Sequence, residues 1–92
     1  MKRYLILTLR TPRFDPDVIA AHHAYLDALK AQGALEAYGP FNDKSGGAYV
    51  IRADSPEHAR DMAFADPLHG SGSSQASVRE WDVRQVAEPR AA

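Results

Sequence analysis

The chain has 92 residues, a formal net charge of −1, 25% charged and 45% hydrophobic residues, four histidines and no cysteine. That length holds one domain with a thin core, and the missing cysteines exclude disulfides, Cys-ligated zinc, Fe–S clusters and a thiol nucleophile. The near-zero charge lacks the basic footprint of a protein that binds nucleic acid or an anionic membrane, and no apolar run approaches the about 20 residues of a bilayer span.

Residues 2–10 are rich in Leu, Ile, Tyr and Thr, and Thr11-Pro12 breaks the run, so they read as a strand. One face carries Tyr4, Ile6, Thr8 and Arg10 and the other Leu5, Leu7 and Leu9, which predicts a strand covered on both sides. The same ten residues are too short and too evenly broken for a signal peptide, and the expected location is the cytoplasm. Asp15-Pro16-Asp17 reads as a helix start, with Pro suited to the first helical position and Asp to the positive end of the dipole. This helix is expected to run to about Gln32 and to stop at Gly33. Val18, Ile19, Tyr25, Leu26 and Leu29 fall on one stripe of it, with His22 near the centre and His23 on the flank.

Ala34 to Phe41 and Gly47 to Ala53 read as two strands joined by the turn-rich segment Asn42-Asp43-Lys44-Ser45-Gly46, a hairpin. Ser55 is the expected cap of a second helix that starts at Pro56 and carries Ala59, Met62, Ala63 and Asp66 on its inner stripe. Pro67 should end it at Asp66. Residues 68–76 then read as a Gly- and Ser-rich loop. Ser77 to Val86 alternates around Val78, Trp81, Val83 and Val86 and reads as a fourth strand.

The order is β-α-β-β-α-β, with connections long enough for right-handed crossovers. It predicts a ferredoxin-like α+β domain over residues 1–86, with a four-stranded antiparallel sheet and two helices on one face, followed by a frayed tail over 87–92. Nothing in the chain covers the other sheet face. Two copies are therefore expected to join as a homodimer, a dimeric α/β barrel.

Two residues stand out chemically. His22 lies on an apolar helix stripe, where imidazole either moves protons or is a core histidine bonded to a backbone carbonyl. Asp66 lies at the end of the second helix, where it either begins an Asp-Pro turn or meets the His, fixing its tautomer. At that position the helix dipole would disfavour its charge. His22 and His23 point about 100° apart, and His58 and His69 have no fixed spacing to them, so no metal is expected. Neither Gly46-Gly47 nor Gly70-Ser71-Gly72 forms a phosphate loop, and no cofactor is called for. Tyr38, Tyr49 and Trp81 read as core or dimer contacts; Arg10, Arg52 and Arg79 read first as solvent-facing or paired with Asp or Glu, though one of them could clamp a substrate carboxylate.

The residues carry a resemblance. His22-His23-Ala24-Tyr25-Leu26-Asp27-Ala28-Leu29, Gly33-Ala34-Leu35 and Tyr38-Gly39-Pro40 resemble the YciI-like (YCII-related) family, as do Ala65-Asp66-Pro67, Gly72 six residues after Asp66, and Trp81. Ile19 departs from the pattern where many members have a basic residue, and Ser73-Ser74 depart where apolar residues are usual. The resemblance implies a dimerising ferredoxin-like fold with a His and an Asp facing a pocket. Carried over by position the Asp is Asp66, and the His is His22 rather than His23, because only its spacing to Gly33 and Gly39 matches. It also implies chemistry like that of related chloromuconolactone dehalogenases, which eliminate HCl.

The first functional expectation is a cofactor-independent lyase or isomerase acting on a small, lactone-like or carboxylate molecule. His22 would be its general acid or base and Asp66 its orienting partner. The alternative is a non-catalytic dimer that binds a small ligand, with His22 and Asp66 a satisfied buried pair. A cofactor-independent monooxygenase of the dimeric-barrel class is a third reading, though nothing in the sequence marks an oxygen-reacting site.

Overall fold

The computed structural model describes residues 2–84 and 86. Strand β1 (Lys2–Arg10) alternates as its sequence predicts, with Tyr4, Ile6 and Thr8 buried on one face and Leu5, Leu7 and Leu9 on the other. Helix α1 (Val18–Ala31) begins at Val18, not at Pro16. The carboxylate of Asp15 accepts from the Asp17 amide at 2.9 Å, so the acidic motif forms a turn ahead of the helix and makes no side-chain cap. The helix stops where Gly33 takes a positive φ of 74°, a conformation costly for residues with a Cβ.

Strands β2 (Leu35–Pro40) and β3 (Gly46–Ala53) form the expected hairpin, closed by the Phe41 amide donating to the Gly46 carbonyl at 2.7 Å. Gly46 is required at the start of β3, because a Cβ there would run into the Thr8 carbonyl oxygen of β1. Helix α2 (Pro56–Phe64) is capped by Ser55, whose Oγ accepts from the His58 amide at 3.1 Å. A one-turn helix α3 (Pro67–Gly70) follows, and then β4 (Ser74–Glu80).

Two expectations are corrected here. Residues 68–76 are not a plain loop, since α3 and the first residues of β4 occupy most of them. The fourth strand lies at Ser74–Glu80 rather than 77–86. Its register fixes the bounds: Ser74 pairs with Arg10 at the end of β1, and the antiparallel strand runs back to pair Glu80 with Tyr4 near the start of β1. Trp81 still donates its amide to the Arg3 carbonyl at 2.9 Å, but the strand goes no further, and Trp81 is exposed. The proposed tail, 87–92, lies outside the described residues.

The sheet order is β2-β3-β1-β4, with every pair antiparallel, the ferredoxin-like arrangement. One face meets the helices and holds the core. Tyr4, Ile6, Tyr49 and Ile51 project from the sheet against Leu26 and Leu29 of α1 and Ala59 and Ala63 of α2. The small alanines let α2 lie close to the strands. On the opposite face Leu5 lies across from Val50 and Leu7 across from Ala48, and Leu9 is 50% exposed. No helix among the described residues is long and apolar enough to cross a membrane.

Candidate functional site

The site forms where α1 crosses the junction between α2 and α3. Asp66 is not the last residue of α2. Phe64 ends that helix and Ala65 caps it, and the following proline holds Asp66 extended at φ −63°, ψ 130°. Asp66 therefore stands at the start of α3, and its carboxylate accepts from the Leu68 amide at 2.9 Å. The expected unfavourable dipole at this position is thus corrected. The backbone at the head of a helix offers donors to a carboxylate, whereas the tail of α2 would have offered only carbonyls.

His22 comes to Asp66 from the middle of α1. Its Nδ1 lies 2.8 and 2.9 Å from the two oxygens of the carboxylate. Asp66 is fully buried, and the His22 side chain is 13% exposed. An ionised carboxylate only accepts, so Nδ1 carries the proton that joins the two groups. That leaves Nε2 as the nitrogen a bound molecule can meet.

A third donor completes the carboxylate's shell. The Tyr49 hydroxyl donates to Asp66 at 3.3 Å from the floor of the sheet. Burial, and then the charge of Asp66, push the Tyr49 hydroxyl far above its ordinary ionisation range. Tyr49 therefore stays a donor. Tyr25, one turn beyond His22 on α1, donates to the Met62 carbonyl at 2.7 Å and holds α1 to the end of α2. Its hydroxyl is also pushed up, first by burial and then by Asp66. Sequence reasoning placed Tyr49 only in the core or a dimer contact. Its parity with Ile6 and Ile51 marked the inward face, but no local signal gives the distance from strand to helix junction.

His22 and His23 both line a cavity of about 270 Å³ between α1, the ends of β1 and β3, and α3. Phe14, Ile19, Pro40 and Leu68 give it apolar walls. Arg10 also lines it, whereas Arg52 lies on the far face of the sheet, bound to Glu36 at 3.2 Å. Tyr38, 58% exposed on edge strand β2, stands at the cavity rim rather than in the core. Of the serines that break the apolar pattern, Ser74 lines the cavity and Ser73 is structural. Ser73 is buried, and its Oγ accepts from the Asp15 amide at 3.2 Å, tying the segment before α1 to the segment before β4.

The other histidines stand apart from this pair. His58 faces Asp54 at 3.8 Å on an exposed turn, and His69 stacks on Phe64 with ring centroids 4.5 Å apart. No group of three or more metal-ligating side chains converges among the described residues.

The chain and its fold have counterparts in known proteins. The solved 5-chloro-2-hydroxyhydroquinone dehydrochlorinase TftG from Burkholderia phenoliruptrix AC1100, in complex with 2,5-dihydroxybenzoquinone, is 26% identical. It superposes with a TM-score of 0.74, covering 87% of this chain and 93% of that one. Muconolactone isomerase, 16% identical with a TM-score of 0.67 over 100% of this chain and 98% of that one, shares the fold. The uncharacterised protein YjpA of Bacillus subtilis (strain 168) is 47% identical over 85 residues, 92% of this chain and all of that one. The model of the YCII-related domain matches residues 3–82, and the chain belongs to the YCII-related family.

Proposed function

We propose that this protein is a cofactor-independent enzyme of proton transfer, acting on a small oxygenated ring molecule held in the cavity beside His22. The observation that carries this reading is the His22–Asp66 pair. A fully buried carboxylate grips one imidazole nitrogen through both oxygens, while the ring borders a cavity large enough for a single ring. Nε2 is then the acid–base atom, and Asp66 sets the tautomer and stabilises the imidazolium while it exists.

Two related reactions fit. In elimination, Nε2 takes a proton from a carbon next to a carbonyl. The C–H electron pair becomes the new double bond, chloride leaves with the C–Cl pair, and the imidazolium returns its proton to water. In isomerisation, the imidazolium returns the proton to a different carbon of the same substrate. The likeness to a dehydrochlorinase supports the first, and the remaining chemistry is the same for both.

The test is turnover. Chloride release from 5-chloro-2-hydroxyhydroquinone and deuterium exchange into muconolactone in D₂O are followed for wild type and His22→Ala. The expected result is turnover of at least one probe and its loss, by about 10²-fold or more, in the variant. Full activity in His22→Ala would remove this histidine from the mechanism.

The open sheet face supports a homodimer. Leu5, Leu7, Leu9, Ala48 and Val50 form an apolar strip with no element of this chain over it among the described residues. Light scattering at micromolar protein should give the mass of two chains, and Leu7→Glu should give one.

A further inference from the structure

We infer that Arg10 is the anchor for a negatively charged oxygen pair on the substrate, so that the molecule bound beside His22 is a small ring anion, either a carboxylate or an enolate flanked by a ring carbonyl. This inference names the substrate class for the cavity of the proposed function and rests on that cavity being the binding site. Four observations carry it.

Arg10 closes β1 on the inward face, in line with Tyr4, Ile6 and Thr8, and its side chain borders the same cavity as His22 and His23. The backbone around it is held on both sides. Its own amide donates to the Ser45 carbonyl at 2.9 Å, and the Thr11 amide donates to the Ser73 carbonyl at 3.0 Å. The guanidinium lies over the Phe14 ring, 4.0 Å from its centroid, which orients the planar group without using its donors. Phe14 is in turn held by the segment that Ser73 ties down through the Asp15 amide.

Charge gives the rest. Arg3, Arg52, Arg60 and Arg84 each face a carboxylate, whereas Arg10 makes no ion pair among the described residues. No acidic residue among the described residues borders the cavity, and the nearby carboxylate, Asp66, is already filled by His22, Tyr49 and the Leu68 amide. A cationic fork at one edge of an apolar cavity of about 270 Å³ is complementary to a ring bearing two coplanar anionic oxygens. Held there, the rest of the ring lies toward the imidazole.

Binding, read by titration calorimetry without turnover, tests this. Benzoate, its neutral isostere benzamide, and 2,5-dihydroxybenzoquinone are titrated into wild type, Arg10→Gln and Arg10→Lys, with thermal melts confirming that each variant is folded. Wild type should bind one or both anions at least about tenfold more tightly than benzamide. Arg10→Gln should erase that preference, and Arg10→Lys should keep only part of it, because an ammonium lacks the planar fork. Dependence of benzoate on Arg10 identifies a carboxylate, and dependence of the quinone identifies an enolate. Equal binding of benzamide and both anions, no binding of either anion, or an unchanged preference in Arg10→Gln would overturn the assignment. Such an outcome leaves the His22 turnover test standing. Conversely, an Arg10-dependent anion site survives even if His22→Ala keeps full activity.

Discussion

The sheet carries a charged cluster on each face, and the two are built from the same kinds of group in opposite surroundings. On the helix face, His22, Asp66 and Tyr49 lie under α1, and the carboxylate sees no solvent. On the open face, Glu36 lies 2.6 Å from Arg3 and 3.2 Å from Arg52, all three partly exposed. Removing a charge from water is expensive, so the buried cluster depends on every partner and leaves little freedom in its geometry. The exposed cluster is cheap to form and to break, because water replaces whichever partner is lost. The difference teaches where function can be placed. Only the helix face holds an imidazole in one tautomer against a cavity.

Breaking the buried cluster should give the largest effect. Asp66→Ala removes the acceptor of three donors at once and should cost about 3 kcal/mol or more in urea denaturation, along with all turnover. A loss under 1 kcal/mol would mean that water fills the site and that burial does not set its energetics.

Raising the pH probes the same cluster without mutation. The Tyr49 and Tyr25 hydroxyls are held above their ordinary value of 10.0 by burial and by Asp66. Their folded-state values are raised, so the stability they confer is complete below about pH 10 and declines as the pH rises beyond it. Absorbance at 295 nm, compared with Tyr49→Phe, should show Tyr49 ionising only together with loss of the far-UV circular dichroism. Ionisation of Tyr49 in a still-folded chain would contradict its burial.

Tyr49→Phe is the milder probe. It keeps the ring and deletes one long hydrogen bond, and should cost about 1 kcal/mol. It should slow turnover less than Asp66→Ala, because the Leu68 amide still holds the carboxylate.

The smallest effect belongs to the open face. Glu36→Gln should cost under about 1 kcal/mol and less still in 1 M salt. The Glu36 carboxyl is held below its ordinary value by hydrogen bonding, to Arg52 first and then Arg3. Its contribution is therefore complete above about pH 4.5 and fades as the pH falls toward the lowered value. Denaturation at pH 6 and pH 3 measures this. A cost above 2 kcal/mol would show that a second copy buries this cluster and would erase the contrast between the faces.

Much of this molecule was legible before the fold was seen, for local reasons. Gly33 ends α1 because a left-handed residue is needed there, and Ser55 caps α2 because its oxygen reaches an amide three residues on. Strand alternation in β1 grouped Tyr4, Ile6 and Thr8 on one face, and the structure makes that face the core. The stripe on α1 put His22 inward, and its pairing with Asp66 followed only as one option among several. Errors arose where tertiary pairing overrode local pattern. Val78, Trp81, Val83 and Val86 drew the fourth strand toward the C-terminus, yet its pairing with β1 begins at Ser74 and ends at Glu80, with only the Trp81 amide reaching one residue further. Ser73 and Ser74 read as loop, yet both are buried because their polar atoms serve the segment before α1 and the edge of β1.

The sequence by itself determined the order of the four strands and the two longer helices, the inward direction of His22 and the break in the helix at Pro67, since each follows from periodicity or from the sterics of a few neighbouring residues. Only the tertiary structure decided that Asp66 belongs to the head of α3, that Tyr49 reaches it from the sheet, and that Arg10 rests on Phe14 beside the same cavity. The Tyr49–Asp66 contact joins residues 17 positions apart and depends on where strand register sets Tyr49 under the helix junction, which no local rule supplies.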